Sequence, residues 1–343
     1  MMRKINEENE RIKRRYAQHL KEARGRDQKS VEKIMAAILK FENCIGYKSF
    51  KLFNIEQAIS FKRKLETTKN ARTGKPLSVA TIDGTLRAVK GFVHWLAGQP
   101  GYKSRISYSD SDYFRVSAKD ARIAHANRNA PHPTMEQALH AFNQMPNGTD
   151  IEKRNKAMFA FLMLSGARDG AIVSLRLKHI DLVDGCVYQD ARDVNTKNSK
   201  TFTTWFLPVD PAYRECFETW VNILRNEKLY GHEDALFPKP EMGLAKGGGF
   251  AVMGLSRDTY ANTAKFCNVI KQAFISAGLP AFAPHSFRKT LVKYFDQICQ
   301  TREQFKALTL NIGHDSVITS ILSYMPIPVE RQKELIKGMG AQS

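Results

Sequence analysis

A small set of side chains in the second half of the 343-residue sequence could together break a phosphodiester bond. Two arginines can hold a phosphate through charge-assisted hydrogen bonds. Two histidines and a lysine can hydrogen-bond to the phosphate or move protons, and a tyrosine can attack phosphorus. Such a set can cleave a DNA strand without a metal ion, and we expect no cofactor. The residues are Arg168, Lys197 or Lys200, His285, Arg288, His314 and Tyr324.

The arginines and the first histidine occur at predicted helix starts. Arg168 follows Gly166 in LSGARDGAIVSL, where free backbone N–H groups and the helix dipole favour an anion. His285 and Arg288 are one helical turn apart in APHSFRKTLVKYF. This spacing would let both side chains reach one phosphate.

The remaining groups lie in predicted loops. The lysines are in NTKNSKT, between two segments rich in β-branched and aromatic residues that predict a small antiparallel sheet. His314 follows a glycine, and Tyr324 comes ten residues later in ILSYMPIP. Any one of these residues alone is more often a surface or core side chain than a catalytic group. Their order and spacing make the case.

The charge of the chain favours a polyanionic partner. The formal net charge is +19, and residues 1–106 hold 24 Lys and Arg against 10 Asp and Glu. An excess of this size on about 100 residues indicates nucleic acid. The sequence has no apolar stretch that predicts a membrane span or a signal peptide, and its five cysteines are scattered without a CxxC. We therefore expect reduced thiols and a cytoplasmic, nucleoid-associated protein.

The first hundred residues predict four helices, over 5–23, 30–46, 54–68 and 78–99. Ser30 and Ser78 are the expected N-caps of the second and fourth helices. Residues 107–133 are polar and end near two prolines, which is typical of an interdomain linker with a short helix. A second, mixed domain is expected over 134–325, with Thr134 as a cap. Its Gly-rich stretch 236–254 predicts a flexible segment.

These motifs resemble the tyrosine recombinases, also known as the phage integrase family. SGARDGAIVSLRLKHIDL is similar to the segment around the family's first arginine, which places that role on Arg168. PHSFRKT resembles the second motif, with its histidine at His285 and its arginine at Arg288, and NIGHDS resembles the third, with His314. The family's hairpin lysine falls on Lys197 or on Lys200, and its nucleophile falls on Tyr324.

The sequence departs from the family's usual pattern in three places. Ala171 stands where an acidic residue usually follows the first arginine, and Asp169 is the nearby alternative. Tyr324 is ten residues after His314, where nine is commoner. The hairpin is also longer than usual, which leaves the choice of lysine open.

The resemblance implies a fold, a reaction and partners. The fold would be mainly α with a small antiparallel sheet: a SAM-like helical core-binding domain over 1–106, then a catalytic domain. The reaction would be site-specific DNA recombination through a 3′-phosphotyrosine, serving integration, excision or transposition of a mobile element. The partners would be double-stranded DNA and further copies of the chain in a tetrameric synapse, with or without accessory proteins. The tail 326–343 would dock on a neighbouring protomer or, alternatively, form a helix packed on its own domain.

Two other functions are compatible with the same residues. A type IB topoisomerase uses a nearly identical set of groups but acts as a monomer and rejoins the original ends. A non-catalytic DNA-binding protein could retain the fold without cleaving DNA. The filled catalytic positions favour an enzyme, and the small helical domain and short tail favour a recombinase.

Overall fold

The computed structural model describes residues 5–71, 73–125, 131–244 and 247–313. The chain divides between residues 126 and 127 into two compact units. The described part is mainly helical, as the sequence predicted, and it has two small antiparallel sheets, of which the sequence predicted one. No described helix is both long and apolar enough to cross a bilayer.

The described part of the first unit is helical apart from an isolated antiparallel bridge between Lys69 and Pro76. A π-helical turn follows its first helix, and 3-10 turns occupy Phe50–Leu52 and Tyr108–Tyr113. Its core is rich in phenylalanine, and Phe41 stacks or packs edge-on against four other phenylalanine rings. The helices are α1 (Glu7–Gln18), α2 (Gln28–Cys44), α3 (Ile55–Thr67), α4 (Val79–Leu96) and α5 (Ala118–His125).

The four helices predicted in this unit are confirmed, and one of the two predicted caps is wrong. Ser78 caps α4 by accepting a hydrogen bond from the backbone N–H of Thr81. The N-cap of α2 is Asp27, three residues before Ser30, and its carboxylate accepts from the N–H of Ser30. Asp and Ser are comparably good caps, so local sequence could not separate them.

Much of the segment predicted as the linker packs on the first unit. Phe114 lies after the second 3-10 turn and is completely buried in the same core as the helices. Lys90 on α4 pairs with Asp112 at 2.7 Å, and His125 on α5 is 3.7 Å from Asp83 on α4. The polar composition of residues 107–125 therefore coexists with helical structure anchored by one aromatic side chain and a few ion pairs.

The second unit surrounds a central helix. Every residue from Ala157 to Ser165 on this helix is buried, because four other helices and a strand of the two-stranded sheet pack against it. The helices are α6 (Met135–Asn143), α7 (Asp150–Ser165, the central one), α8 (Asp169–Ile172), α9 (Pro211–Asn222), α10 (Ala264–Ser276), α11 (Pro284–Ile298) and α12 (Arg302–Asn311). The strands are β1 (Ile180–Asp181), β2 (Cys186–Gln189), β3 (Phe202–Trp205), β4 (Pro240–Leu244) and β5 (Phe250–Leu255).

Strands β1, β2 and β3 form the predicted antiparallel sheet in that order. Gln189 pairs with Phe202 at the end of the β2–β3 ladder, so residues 190–201 form the connecting loop. As expected, Thr134 caps α6, in a capping box with Gln137. The sheet thus places both candidate lysines on one loop.

The Gly-rich stretch 236–254, predicted as a flexible segment, contains two strands that the sequence did not predict. β4 and β5 pair as an antiparallel hairpin with a bulge at Glu241/Met242. The register pairs Met242 with Val252 and Leu244 with Phe250. β5 has no polar side chain, so it lacks the alternation of apolar and polar residues from which a half-buried strand is predicted.

Candidate functional site

A left-handed turn at the end of α7 forms one side of the site. Gly166 ends the helix with φ +56°. An added Cβ there would lie 3.2 Å from a methyl of Leu291 on α11 and 3.3 Å from a methyl of Ile312. Glycine is therefore favoured twice, by the backbone angle and by the close approach. The turn brings the backbone between α7 and α8 against α11 and the end of α12.

Arg288 fills the space between these elements. Its side chain lies on the first turns of α11, and the residue is only 4% exposed. One terminal nitrogen, Nη1, donates to the carbonyl of Gly166 and the other, Nη2, donates to the carbonyl of Ile312, each at 2.5 Å. A buried guanidinium needs such partners to offset its loss of hydration. The orientation of Arg288 is thus fixed by backbone from two distant parts of the chain.

Arg168 approaches the same turn from α8. It is the N-cap residue of that helix and is half-buried. Its Nη2 lies 3.5 Å from the carbonyl oxygen of Gly313, a long hydrogen bond. The two predicted arginines therefore converge on the successive carbonyls of Ile312 and Gly313. These two residues immediately precede His314.

The end of α12 is fastened to strand β3. The side-chain amide of Asn311 accepts from the N–H of Trp205 at 2.7 Å and donates to its carbonyl at 2.9 Å, so it mimics a neighbouring strand. The hydroxyl of Thr204 donates to the carbonyl of Asn311. A Cβ on Gly313 would lie 2.6 Å from the ring of Phe202. The turn at Ile312 and Gly313, to which both arginines donate, is thereby held against the hairpin that carries the lysines. Sequence analysis missed Asn311, because nothing local marks its partner more than 100 residues away.

The lysines occupy the outer arc of the β2–β3 loop. Lys197 is exposed and Lys200 is partly buried. Asn198 and Ser199 between them adopt left-handed conformations, with φ +58° and +51°. The hairpin expected from the sequence is confirmed, and it does not by itself select one of the two lysines.

His285 lies on the first turn of α11, and its side chain is exposed. Pro284 occupies the first helical position, where its fixed φ and missing N–H fit. His285 and Arg288 share one end of the helix, as predicted, with one side chain exposed and the other buried. His314 and Tyr324 lie outside the described residues.

The first unit contains a basic groove of about 990 Å³ between the end of α1 and α4. The tilted rings of Tyr16 and Trp95, 5.0 Å apart, form part of its wall. Cationic side chains beside aromatic rings suit the phosphates and bases of a nucleic acid. The basic lining residues are Arg15, His19, Arg24, Arg26, Arg87 and His94.

Known proteins resemble this chain in sequence pattern and in fold. Residues 132–295 match the model of the phage integrase family. This range contains Arg168, both lysines, His285 and Arg288, and it ends before His314. No curated protein sequence matches the chain.

Several solved structures share the fold. A lambda integrase (75–356) dimer bound to a COC′ core site aligns with a TM-score of 0.61 at 14% identity, covering 91% of this chain and 94% of that one. XerH site-specific recombinase bound to palindromic difH aligns with a TM-score of 0.62 at 18% identity, covering 93% of this chain and 82% of that one. The Tn1549 transposon integrase in complex with transposon right end DNA aligns with a TM-score of 0.57 at 13% identity, covering 96% of this chain and 99% of that one. The resemblance inferred from the motifs is confirmed at the level of family model and fold.

Proposed function

We propose, because residues 132–295 match the phage integrase family, that this protein is a site-specific DNA recombinase. In this proposal it cleaves and rejoins DNA strands for the integration, excision or transposition of a mobile element. The observation that carries the proposal is the convergence of Arg168 and Arg288 on the turn at Ile312 and Gly313. Two guanidiniums on fixed backbone can bind the non-bridging oxygens of one phosphate.

The proposed reaction is an exchange of one phosphodiester for another. The hydroxyl oxygen of Tyr324 forms a bond to phosphorus while the bond from phosphorus to the 5′-oxygen breaks. A tyrosine hydroxyl has an ordinary pKa of about 10, so its proton must pass to a base, for which His285 is the candidate. Lys197 or Lys200 gives a proton to the departing 5′-oxygen. The products are a 3′-phosphotyrosine and a 5′-hydroxyl.

The remaining groups would stabilise charge as it develops. Arg168 and Arg288 neutralise the non-bridging oxygens in the transition state, and His314 hydrogen-bonds to one of them. Because the phosphotyrosine preserves the phosphodiester bond energy, a second 5′-hydroxyl can attack it without ATP. Attack by a different DNA end yields recombination.

Binding to the duplex would involve both units. The basic groove of the first unit offers phosphate contacts, which set affinity more than sequence preference. The similar structures of lambda integrase, XerH and the Tn1549 integrase are described as DNA complexes, the first of them as a dimer. By analogy we propose a tetrameric synapse on double-stranded DNA, with the tail 326–343 joining neighbouring protomers.

Trapping of a covalent complex tests this proposal. Supercoiled plasmid bearing the DNA that flanks the gene is incubated with wild-type protein or Tyr324→Phe, in EDTA and without ATP, and quenched with SDS. We expect a protein–DNA adduct with a free 5′-hydroxyl from the wild type only. Adduct formation by both proteins, or by neither, would contradict the proposal. Relaxation of the plasmid without any strand exchange between two sites would instead favour a topoisomerase.

A further inference from the structure

The loop between β2 and β3 is held at two points before it reaches the lysines. Asp190 and Val194 are buried, and the arc 196–200, in which residues 197–199 are exposed, follows directly. Val194, in the held part, is 2% exposed and belongs to the main core. The position of Lys197 and Lys200 therefore depends on a few contacts just before them in the chain.

The first of these contacts joins the loop to α8, the helix that begins after Arg168. The backbone N–H of Asn195 donates to the hydroxyl oxygen of Ser174 at 2.9 Å. That hydroxyl donates in turn to the carbonyl of Gly170 or Ala171, each 3.0 Å away. A Cβ on Gly170 would lie 3.3 Å from the carbonyl oxygen of Asn195. The loop thus lies directly against the helix that presents one of the two phosphate-binding arginines.

The second contact joins the loop to the turn before β1. The carboxylate of Asp193 accepts from the ammonium group of Lys178 at 2.8 Å and lies 3.7 Å from Nε2 of His179. Lys178 is the main cause of the lowered pKa of Asp193. His179 is 4% exposed, and its Nδ1 accepts from the N–H of Arg176. This bond leaves the proton of the neutral ring on Nε2, which is 3.7 Å from the carboxylate of Asp193, beyond hydrogen-bond distance.

We infer that Ser174 and Asp193 are positioning residues, which hold the lysine-bearing loop so that its ammonium group reaches the departing 5′-oxygen. This inference rests on the proposed function and assigns roles within it. Neither residue needs to touch DNA. When the bond between phosphorus and the 5′-oxygen breaks, the electron pair moves to that oxygen and the lysine supplies the proton that makes it a hydroxyl. A displaced loop would slow this transfer and leave phosphate binding unchanged.

A change of leaving group separates this role from a merely structural one. A thiolate leaves without needing a proton, so a substrate with sulfur in place of the bridging 5′-oxygen does not require a general acid. Single-turnover cleavage is measured on two oligonucleotides that span the trapped cleavage site, one with the bridging oxygen and one with sulfur. The full-length wild type is compared with Ser174→Ala, Asp193→Asn, Gly170→Ala, Lys197→Ala and Lys200→Ala.

We expect the lysine variant that removes the acid to lose roughly 10²–10⁴-fold in rate on the oxygen substrate. Ser174→Ala and Asp193→Asn should lose about 10- to 100-fold, since a misplacement of about 1 Å can cost 10². Gly170→Ala should show the same pattern more weakly. On the sulfur substrate all of these variants should recover to within about threefold of the wild type, as expected when the general-acid step is bypassed.

Matched substitutions away from the loop serve as controls. Ser111→Ala removes an equally buried serine hydroxyl in the first unit, and Asp258→Asn breaks an aspartate–lysine pair with Lys239 at 3.0 Å. Both should cleave the two substrates like the wild type. Equal losses on both substrates in Ser174→Ala and Asp193→Asn would overturn the inference while leaving the recombinase proposal intact. A wild type that cleaves neither substrate would overturn the recombinase proposal itself.

Discussion

The two halves of the candidate site are held in opposite ways. Arg288 is buried and bound to two backbone carbonyls from α7 and from the end of α12. The arc that carries Lys197 and Lys200 lies near solvent, and the contacts that hold its loop include Ser174, Asp193, the buried Val194 and a hydrogen bond from Ala191 to Thr201. The phosphate-binding side is therefore part of the core, whereas the proton-donating side is a loop attached to it.

Substitutions on the two sides should therefore affect different properties, namely the free energy of unfolding on the arginine side and the rate of DNA cleavage on the loop side. A change on the arginine side leaves buried carbonyl groups unpaired and should weaken the whole unit. A change on the loop side should alter the proton-transfer step while the unit stays folded.

The largest expected effect is at Arg288. Arg288→Met leaves the carbonyls of Gly166 and Ile312 unpaired, which we expect to cost at least about 2 kcal/mol in the free energy of unfolding. Urea unfolding of the purified protein measures this. Arg192→Met is the control, because Arg192 has an 85% exposed side chain and its pair with Asp190 should contribute about 1 kcal/mol or less. Equal destabilisation by the two substitutions would show that the burial of Arg288 does not matter.

A smaller effect is expected at Gly166. Gly166→Ala places a Cβ at φ +56°, 3.2 Å from Leu291, and should cost about 1–2 kcal/mol from the left-handed backbone alone. Gly84→Ala, inside α4 with open space around its Cα, should be neutral or stabilising by up to about 1 kcal/mol. Thermal unfolding of both variants gives the comparison. A Gly166→Ala protein as stable as the wild type would show that neither the left-handed backbone nor the close approach to Leu291 requires glycine at this turn.

The smallest expected effect is the pH dependence contributed by His179. Burial is the main cause of its lowered pKa. The His179 ring therefore binds a proton more readily in the unfolded chain than in the folded chain. The stability that the neutral ring contributes is fully present above the unfolded pKa of about 6.5, and it is lost as the pH falls through the pKa of the folded state. The urea midpoint of wild type should drop between pH 7.5 and 5.5, and His179→Gln should flatten that slope. An unchanged slope in the variant would assign the pH dependence to other groups.

The sequence predicted the parts of this site that depend on local pattern. Arg168 was expected at a helix start, His285 and Arg288 on one turn of a helix, and the lysines on a hairpin, and the structure has each of these. These predictions use local signals, namely the period of apolar residues in helices and strands, a proline at the first helical position and a glycine at a helix end. Such signals suffice to locate helices and strands and to recognise the motifs of a family.

The sequence could not predict the contacts that assemble the parts. The carbonyl partners of Arg288 are 122 and 24 residues away, and Asn311 pairs with Trp205 across 106 residues. Backbone acceptors have no sequence signature, so the burial of Arg288 was not visible. The same holds for Ser174, whose hydroxyl contacts the backbone of Asn195, 21 residues away. The sequence did not predict the β4–β5 hairpin, because clustered glycines indicate a loop.

Identification of the nucleophile tests the central claim most directly. The adduct formed by the wild type is digested with trypsin and nuclease, and the peptide that retains a nucleotide is sequenced by mass spectrometry. The account predicts a single modified residue, Tyr324, linked to a 3′-phosphate. A nucleotide attached to another residue, such as the partly exposed Tyr294 on α11, or attached through a 5′-phosphate, would contradict it.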